Sequence, residues 1–504
     1  MSLTSYLVEL PILGKLTWDA MRDPIYDYID YNKDVEAKII DTPVFQRLRR
    51  IKQLQLSYLV YPGAEHTRFQ HSIGVMYLAG VFSSHITTQL VRKLGGYDID
   101  GYKADILVES SRVAGLLHDL GHGPFSHAFE EIILSNKSLR AKGLDNHEKL
   151  GLLLIEYTEI SKILQEAEEK GLDNIGDVVR KLLAAEEPRE PILRLYRKIV
   201  KAWVYPADIM DFLMRDSYYT GTREYGSIDY QRLIRGSYPA EVGSVYEHIA
   251  LDTKCLGALR SYLNNRTQMY ENVYFHPVTR AFNRLLSEVL RGVDEYLGLT
   301  EAVERLGEGD PSAYIKLSDE YVYAKLLDLK DQKDLPSDLR EKIKMFLYRK
   351  NPWKRIGADH KIPLIALGGR LDPAILAFRY MKRWVKDLEQ HVRSKISAKL
   401  GNRINEEDIW VDSNTLHPAP LSSLVEPHVF YVAHMRGGEM VDVKPYSIIS
   451  FMVNEGIIPR IIVRAYASRT AIRDKELFRE LGRIVDEAID EFFNISTLAG
   501  GITL

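Results

Sequence analysis

A histidine and an aspartate stand side by side near the end of an apolar run, in the segment Val113-Ala-Gly-Leu-Leu-His118-Asp119-Leu-Gly-His122-Gly-Pro-Phe-Ser-His127. A buried imidazole beside a buried carboxylate needs partners, and a divalent metal ion suits both groups at once. Further residues of the same ligand types lie before and after the pair along the chain. The pattern H…HD…D therefore predicts one metal site, with the ligands His71, His118, Asp119 and Asp208.

Histidines are clustered around this pair. A single histidine has many uses besides metal binding, so the probability that any one of them is a metal ligand is roughly one in ten. Seven of the 14 histidines, however, fall between residues 66 and 147. Mixed imidazole and carboxylate ligands suit Mn, Fe, Zn or Co, and also Mg if water completes the shell. The cluster supports a metal centre and leaves the identity of the metal open.

The composition indicates a large globular protein. The chain has 504 residues, of which 45% are hydrophobic and 27% charged, which allows a large core and more than one domain. The formal net charge of −3 gives no overall attraction to nucleic acid or membranes, so an anionic substrate must meet a local basic patch. Cys255 is the single cysteine, which excludes an internal disulfide. Neither a signal peptide nor a transmembrane run is recognised in the sequence, and a cytoplasmic location is expected.

The first 300 residues are expected to be mainly helical. Apolar residues recur there at helical spacing. The predicted helices cover residues 44–56, 72–94, 106–120, a segment that begins at His147, and 192–219 with a break at Pro206. The helix after this proline would place five residues on one face. That face is either solvated, with a prior probability of about one half, or it lines a site. The five residues are Asp208, Asp211, Phe212, Arg215 and Asp216.

The second part of the chain has a mixed pattern. Helices are predicted at 318–330, 336–350 and 471–493, and strands at 409–412, 428–433, 439–443 and 457–467, with a turn at 436–438. The fold class is therefore expected to be mainly α, with a helical core at 1–300 and a smaller α+β region at 301–504 that completes the fold.

The chain resembles the HD-domain phosphohydrolase superfamily, and within it the dNTP triphosphohydrolases related to the mammalian sterile-alpha-motif and HD-domain protein, although it has no counterpart of the sterile-alpha-motif part. The resemblance is dense over residues 23–130 and thinner after that. It rests on Asp23-Pro-Ile, on Ile40-Asp41-Thr-Pro-Val-Phe-Gln46-Arg-Leu-Arg49-Arg-Ile-Lys-Gln53-Leu54, on Pro62-Gly-Ala-Glu-His-Thr-Arg68-Phe-Gln-His71-Ser, and on the His118-Asp119 segment. It implies an HD-domain helical core.

The resemblance also implies a role for each matching residue. His71, His118, Asp119 and Asp208 would bind the metal, and His122, His127 and His147 would line the catalytic pocket with Arg68 as the phosphate clamp. Gln53, Leu54 and Asp216 would hold the deoxyribose, Tyr274 would exclude a 2′-hydroxyl, and Arg266 would contact the triphosphate or the base. Phe212 stands where the mammalian relative has a tyrosine, Glu130 where it has an aspartate, and Ile209 and Pro277 where it has lysines. These departures put the phosphate contacts at residues 209 and 212 in doubt.

Members of this family carry a regulatory nucleotide site at subunit interfaces. Asp41, Gln46 and Arg49 match its guanine-recognising positions, and an aspartate with an arginine has the right chemistry for that base. The three residues could also be an exposed, solvated face. The resemblance thus implies activation by GTP or dGTP and a homo-oligomer, a tetramer in the family.

The expected reaction is metal-assisted hydrolysis of a dNTP at the α-phosphorus, which releases the deoxynucleoside and triphosphate. His127 is the preferred general acid for the 5′-oxygen. The alternatives are another HD activity, as a phosphodiesterase or 5′-nucleotidase, and a nucleotide-sensing or nucleic-acid-binding module without turnover. Four intact metal ligands and the acidic net charge argue against the module.

Overall fold

The computed structural model describes residues 10–201, 203–363, 372–419, 429–437 and 439–498. Helices dominate, as the periodicity predicts. The α-helices are Glu36–Ile40, Pro43–Gln46, Arg68–Leu94, Ala104–Leu117, His127–Phe129, Lys137–Ala141, His147–Tyr157, Glu159–Glu169, Ile175–Leu183, Pro191–Val200, Ala207–Thr220, Tyr230–Arg235, Leu256–Met269, Pro277–Leu297, Leu299–Gly307, Asp319–Leu329, Ser337–Leu347, Asp372–Leu400, Ile448–Asn454 and Lys475–Leu498.

Five of these helices build the site, and we number them α1 (Arg68–Leu94), α2 (Ala104–Leu117), α3 (His147–Tyr157), α4 (Pro191–Val200) and α5 (Ala207–Thr220). Their ends follow from local chemistry. The Thr67 and Gln70 side chains form a capping box at the start of α1, and Gly95 ends it with a φ of 74°. The Asn146 side chain accepts a hydrogen bond from the Lys149 N–H at the start of α3.

Four small sheets accompany the helices. Trp18–Asp23 pairs antiparallel with Asp27–Asn32, and Asp98–Ile99 with Tyr102–Lys103. A four-stranded sheet has the order Glu439–Ser447, Val429–Arg436, Val245–Asp252, Ser237–Val242, and a three-stranded antiparallel sheet has the order Trp353–Pro363, Arg460–Ser468, Ile409–Leu416. The strand Val245–Asp252 pairs in parallel with Val429–Arg436. The C-terminal region thus extends a sheet that begins in the helical part.

Two large hydrophobic cores and a third, small cluster of Ala240, Ala250 and Ala433 lie in the described part of the chain. The larger one runs from Leu10 through the site helices to Phe346 and takes in Phe430 and Phe451 from the C-terminal region. The smaller one packs the three-stranded sheet against Asp372–Leu400 and Lys475–Leu498. The fold is mainly α with a smaller α+β C-terminal region, as the sequence predicts. In the described part of the chain, no helix combines the length and the apolar character that a membrane span requires.

The prediction of a helix over residues 44–56 was wrong in its extent. The helical turns end at Arg50, and Gln55 has a φ of 51°. The backbone N–H of Lys52 donates to the Asp319 carboxylate at 2.9 Å, and the Gln53 N–H donates to the His66 carbonyl at 3.0 Å. Hydrogen bonds to distant parts of the chain thus replace those of a helix and turn this segment into a loop.

The remaining predicted helices and strands are found with small changes in their bounds. The helix predicted from residue 106 begins at Ala104, and the one predicted from residue 72 begins at Arg68. Pro206 separates α4 from α5 as predicted. Two predicted positions, His428 at the start of a strand and Gly438 in a turn, lie outside the described residues.

Candidate metal-dependent active site

Three helices bring the predicted metal ligands together. His71 lies in the first turn of α1, His118 and Asp119 directly follow α2, and Asp208 lies in the first turn of α5. His71 and Asp119 are buried, whereas the Asp208 side chain keeps 27% of its surface exposed. The site is therefore held by packed helices and opens to a ligand at Asp208.

The ligand atoms converge on one point. The Nε2 atoms of His71 and His118 are 3.2 Å apart, and the Asp208 Oδ1 atom lies 3.2 Å from the first and 3.6 Å from the second. Asp119 Oδ1 is 3.3 Å from His118 Nε2, and Asp119 Oδ2 is 3.7 Å from His71 Nε2. His71, His118 and Asp208 thus form one group, and Asp119 lies next to it in a second group with His122 and His147.

The donor set fits a divalent ion. Ligand atoms that bind one ion at about 2.1 Å and at right angles are about 3 Å apart, close to the spacing seen here. The Nδ1 atom of His118 lies 2.7 Å from the Gly115 carbonyl oxygen, a geometry that makes Nδ1 the donor and leaves Nε2 with its lone pair toward the carboxylates. His71, His118 and Asp208 would hold the ion, with Asp119 as the fourth ligand.

The second partner of His71 is a buried carboxylate. His71 Nδ1 lies 2.8 Å from Asp211 Oδ2, and Asp211 also accepts hydrogen bonds from Arg215 and from the Tyr26 hydroxyl, the latter at 2.7 Å. Arg215 continues the network to Asp23 at 2.8 Å. A carboxylate behind a ligating histidine fixes its tautomer and ring orientation. Asp211 therefore orients His71.

A glycine makes this network possible. A Cβ atom at residue 74 on α1 would lie 2.0 Å from Asp211 Oδ1 and 2.4 Å from an Arg215 nitrogen on α5. Such a contact would push the two helices apart. Gly74 therefore permits the close approach that brings Asp211 to His71.

The buried network shifts several pKa values. Burial alone would raise the pKa of Asp211, but Arg215 and the hydrogen bond from His71 lower it to about 2. Burial would lower the pKa of His71, and the carboxylates of Asp208 and Asp211 raise it to about 10. Burial likewise opposes the charge of Asp208, yet the neighbouring side chains of His118 and His71 hold its pKa below the usual range. Without an ion, the surplus of carboxylates thus favours a protonated imidazole at His71.

Arg68 lies beside the metal ligands. Its guanidinium donates to Asp119 Oδ2 and, through Nε, to Ser126 Oγ at 2.8 Å. Burial opposes ionisation of Asp119, but Arg68, His118 and His122 hold its pKa well below 3.8. Arg68 is 3% exposed, and both contacts hold its guanidinium in one position beside the metal ligands.

The three histidines predicted to be catalytic form one group. The His122 and His147 rings stack at 3.8 Å, and the His127 ring meets that of His122 edge-on at 5.1 Å. The Glu130 carboxylate pairs with Nδ1 of both His127, at 2.9 Å, and His147. Burial, then Arg68 and His147, hold the pKa of His122 well below 6.5. This low pKa favours the neutral form of His122.

Residues predicted to hold the sugar meet at the other end of α5. Asp216 Oδ2 accepts a hydrogen bond from the Tyr274 hydroxyl at 2.7 Å, and Asp216 Oδ1 lies 2.7 Å from His66 Nε2. The Gln53 side-chain oxygen is buried and has no hydrogen-bond partner among the residues that the structure describes, which leaves an acceptor for a ligand hydroxyl. Phe212 contacts Tyr274 edge-on at 6.1 Å between ring centres.

One cavity of about 950 Å³ joins these groups. It is lined by the four metal ligands, the three histidines and Arg68, and by Gln53, Leu54, Phe212, Asp216 and Tyr274. The α5 face of Asp208, Phe212 and Asp216 therefore lines a site, and the alternative of a solvated face was wrong because Asp211, Arg215 and Asp216 are buried.

Arg266 is not brought to the cavity wall. Its guanidinium lies over the ring of Tyr270 at 4.7 Å, and its NH2 atom donates to the Tyr270 hydroxyl at 3.4 Å. Tyr270 itself lines the cavity. Ile209 faces the core with 7% of its surface exposed, so it gives the cavity no cation.

The three residues predicted to bind a regulatory guanine lie outside this cavity. The Arg49 Nε atom donates to Gln46 Oε1 at 2.7 Å, and the guanidinium stacks on Phe69 at 3.4 Å. Burial lowers the pKa of Arg49 and the exposed carboxylate of Asp41 opposes that shift, which places the two side chains within electrostatic reach. The three residues form one patch.

Several supporting residues escaped the sequence reasoning. They are His66, which contacts Asp216; Ser126, which holds Arg68; Glu130, which pairs with two histidines; and Asp319, which accepts hydrogen bonds from the Lys52 and Phe125 backbone N–H groups. Asp211 offered a signal, since it shares a helical face with Asp208. Asp319 offered none, since its partners are about 200 residues away or more.

A helical core with two histidines and two aspartates from three helices defines the class of HD-domain metal-dependent phosphohydrolases. Comparison with known families agrees, because the HD domain family matches residues 68–203.

Relatives cover most of the chain. An uncharacterized protein of Bacillus subtilis, YwfO, is 30% identical over 72% of this chain and 79% of its own length. The uncharacterized protein MJ1154 of Methanocaldococcus jannaschii is 31% identical over 68% of this chain and 64% of its own length. The human deoxynucleoside triphosphate triphosphohydrolase SAMHD1 is 31% identical over 70% of this chain and 57% of its own length. The chain therefore spans less than two thirds of the last two relatives. It belongs to the HD-domain phosphohydrolase superfamily, in the group that includes the dNTP triphosphohydrolases.

Proposed function

We propose that this HD-domain hydrolase cleaves deoxynucleoside triphosphates at the α-phosphorus, giving a deoxynucleoside and triphosphate. The observation that carries the proposal is the cavity that joins the His71, His118 and Asp208 group, with Asp119 beside it, to the polar side chains of Gln53, Asp216 and Tyr274. The similarity to a dNTP triphosphohydrolase supports the same substrate class. HD phosphodiesterases and nucleotidases would use the same metal site. The polar group of Gln53, Asp216 and Tyr274 is therefore what favours a deoxynucleoside triphosphate over their substrates.

Helix α5 orders the substrate. Asp208 and Asp216 are eight residues apart, and a rise of 1.5 Å per residue separates them by about 12 Å along the helix axis. Asp208 belongs to the metal site, and Asp216 to the polar group with Tyr274 and Gln53. The deoxyribose would lie at Asp216 and the α-phosphate at the metal end. Tyr274, held by Asp216, would fill the space that a 2′-hydroxyl needs.

Residues of the chain would bind the substrate and manage its charge. A divalent ion at His71, His118, Asp119 and Asp208 supplies Lewis-acid polarisation of a phosphate oxygen and a more acidic water. Arg68 offsets charge that develops on the phosphate, because its guanidinium is already fixed next to the site. Because His122 is neutral, it can donate a hydrogen bond to a phosphate oxygen and adds no second buried positive charge beside that of Arg68.

His127 is proposed as the general acid for the departing 5′-oxygen. It lines the cavity, its side chain is 65% exposed, and Glu130 accepts from its Nδ1 atom, so Nε2 can carry a proton toward a ligand. His147 shares Glu130 and is less exposed, at 23%. The Glu130 carboxylate thus holds the rings of both histidines in place.

Product analysis tests the proposal. Purified protein would be incubated with Mn or Mg and with each dNTP and NTP, and the products would be separated by chromatography. Deoxynucleoside and triphosphate from dNTPs, with little product from NTPs, is the expected result. Orthophosphate or pyrophosphate would assign a different HD reaction, and no turnover with any metal would favour a binding module.

A matched pair of variants links turnover to the metal. Asp208→Ala should abolish hydrolysis and lower the metal content, with the fold intact by circular dichroism. Asp177→Ala removes an exposed carboxylate paired with Lys181, and should change neither quantity. Full activity in Asp208→Ala would refute the metal assignment.

We also propose activation by a guanine nucleotide at Asp41, Gln46 and Arg49 in a homo-oligomer, with a tetramer as the expected form. The exposed aspartate beside an arginine suits guanine. A second cavity of about 780 Å³ lies apart from the first, and five cationic side chains line it, which would suit phosphates. They are Arg349, Lys350, Lys354, Arg355 and Arg469.

Activity and mass measurements test the regulatory proposal. GTP or dGTP should raise the rate of hydrolysis of a second dNTP, and light scattering should show a larger assembly. Asp41→Ala should remove this activation without loss of metal. An activation curve identical to that of the unaltered protein would contradict the site.

A further inference from the structure

His66 is a buried histidine that the proposed mechanism does not use. Its Nε2 atom lies 2.7 Å from Asp216 Oδ1, and the side chains of His66 and Asp216 are 0% and 2% exposed. Of the two residues, Asp216 lines the cavity and His66 does not. His66 therefore acts on a ligand in the cavity through the Asp216 carboxylate.

The Asp216 carboxylate accepts one hydrogen bond on each oxygen. Tyr274 donates its hydroxyl to Oδ2 at 2.7 Å. Burial, and then the Asp216 carboxylate, raise the pKa of that hydroxyl well above 10, so it keeps its proton. A carboxylate oxygen is an acceptor, so the Nε2 atom of His66 carries the hydrogen of the other bond. Since each oxygen has a second lone pair, the two donors fix the carboxylate and leave it able to accept a ligand hydroxyl.

His66 is itself held between two parts of the sugar site. Its ring stacks on that of Tyr219, three residues after Asp216 on α5, with ring centres 4.6 Å apart and an angle of 12° between the planes. Its backbone carbonyl accepts a hydrogen bond from the Gln53 N–H at 3.0 Å. A Cβ atom at residue 63 would lie 2.4 Å from the Tyr219 carbonyl oxygen, so Gly63 lets the loop before His66 lie directly on α5. His66 therefore ties Asp216 to the loop that carries Gln53.

The presence of an imidazole at this buried position is informative. His66 Nδ1 is buried and has no hydrogen-bond partner among the residues that the structure describes. Burying a polar atom without a partner destabilises a fold. A leucine would pack against Tyr219 without that cost, but it could not donate to Asp216. The hydrogen bond to the carboxylate therefore explains the imidazole.

We propose that His66 is a positioning residue for substrate recognition: its Nε2–H fixes the Asp216 carboxylate in the orientation that accepts the 3′-hydroxyl of the sugar. The proposal rests on the proposed function for the placement of the sugar at Asp216. The role of His66 itself needs only a bound deoxynucleoside, because no step of the hydrolysis involves it. Without the His66 donor the carboxylate can turn about its terminal bond, and the site should lose its preference for a ligand with a 3′-hydroxyl.

Binding of paired nucleosides tests this role without any turnover. Metal-loaded protein would be titrated by calorimetry with 2′-deoxynucleosides and with 2′,3′-dideoxynucleosides of each base, which differ only in the 3′-hydroxyl. For the base that binds most tightly, the unaltered protein should prefer the deoxynucleoside by at least about tenfold, as expected for one hydrogen bond to a charged group. His66→Leu, which cannot donate, should lower this ratio of affinities to within about twofold.

A conservative variant and a control separate positioning from stability. His66→Gln can place an amide nitrogen where Nε2 stands, so it should restore most of the ratio. His85→Leu removes a partly buried histidine on α1 that lies outside the cavity and contacts Gln89 and the Ser237 carbonyl, and it should lower stability without changing the ratio.

The ratio of affinities also decides against the proposal. If His66→Leu does not fold, His66→Met takes its place, since methionine adapts to an irregular space and cannot donate. A folded His66→Leu or His66→Met variant with the ratio of the unaltered protein would overturn the proposal. Equal binding of the two nucleosides by the unaltered protein would overturn it as well.

A kinetic measurement distinguishes failure of this role from failure of the proposed function. If dNTPs are hydrolysed, His66→Leu should lower kcat/KM for dNTPs at least about tenfold and leave that for 2′,3′-dideoxynucleoside triphosphates nearly unchanged. The metal affinity should stay constant, because Asp208 lies about 12 Å from Asp216 along α5. An equal loss for both substrates would instead assign His66 a purely structural role. If dNTPs are not hydrolysed but the nucleoside ratio still depends on His66, the proposed reaction fails and the role of His66 stands.

Discussion

Asp211→Asn is the substitution that most directly tests how the metal site is held. Asp211 is fully buried and accepts hydrogen bonds from His71 at 2.8 Å, from Tyr26 at 2.7 Å, and twice from Arg215 at 2.9 and 3.0 Å. An asparagine has one acceptor oxygen, and its amide would point hydrogens at groups that are themselves donors. The substitution therefore disturbs both the histidine and the arginine.

Two magnitudes follow from this geometry. Removing one partner of a buried ion pair costs about 3–5 kcal/mol of stability, and Arg215 would keep only Asp23 as a charged partner. Losing the carboxylate behind a ligating histidine weakens metal binding by about 10- to 100-fold. We expect both effects in Asp211→Asn, measured by urea unfolding and by titration with Mn.

Asp23→Asn is the matched control. Asp23 pairs with the same arginine at 2.8 Å, and no contact joins it to His71. It should lower the stability of the protein while the metal affinity stays within about twofold, since the histidine keeps its carboxylate. If Asp211→Asn binds Mn as tightly as Asp23→Asn does, Asp211 does not orient His71 and the reasoning is refuted.

Three further predictions concern the same site. Arg68→Lys should lower kcat/KM at least about tenfold. A lysine cannot donate to both Asp119 and Ser126, and one charge-assisted hydrogen bond is worth roughly 1.5–3 kcal/mol. Activity near that of the unaltered protein would contradict the proposed role of Arg68 in phosphate binding. Asp319→Asn should lower kcat by about tenfold with unchanged metal affinity, because one of two backbone N–H groups loses its acceptor; weaker Mn binding with unchanged kcat would contradict this. Metal removal should create a pH dependence: a pKa of His71 raised from 6.5 to about 10 stabilises the fold below pH 6.5, and this contribution disappears as pH rises to 10. Unfolding of chelator-treated protein between pH 6 and 10 should show that loss, and metal-loaded protein should not, because the ion requires the neutral imidazole.

The metal site was predictable because its residue types are chemically specific and close in sequence. His118 and Asp119 are adjacent, and an apolar helix before them forces the pair into the interior, where an ion is the natural partner. Asp208 was also predicted, from the H…HD…D pattern, although nothing local separates it from the neighbouring carboxylate of Asp211. The structure separates them, because one faces the cavity and the other faces Arg215.

The sequence did not predict the structure correctly where contacts with distant parts of the chain determine the conformation. The segment after Arg50 has helical periodicity, yet its N–H groups bond to Asp319 and to His66, and those bonds outweigh a weak local preference. The resemblance assigned Arg266 to the triphosphate or the base, but in the structure its guanidinium lies over the ring of Tyr270. Hydrophobic periodicity shows which face of a helix a residue occupies, but it does not show which part of the chain packs against that face.

The region after residue 300 also supports the active site. Asp319 accepts hydrogen bonds from the N–H of Phe125 at 2.6 Å and of Lys52 at 2.9 Å, and so fastens the loop that carries His127 to the loop that carries Gln53. Phe125 has a φ of 57°, a conformation that a large side chain adopts only when its surroundings enforce it. Burial raises the pKa of Asp319 to about 6, so the carboxylate gives up part of its solvation to hold the two loops. Through these two hydrogen bonds Asp319 fixes the position of the proposed general acid, His127, relative to Gln53, which is proposed to hold the sugar.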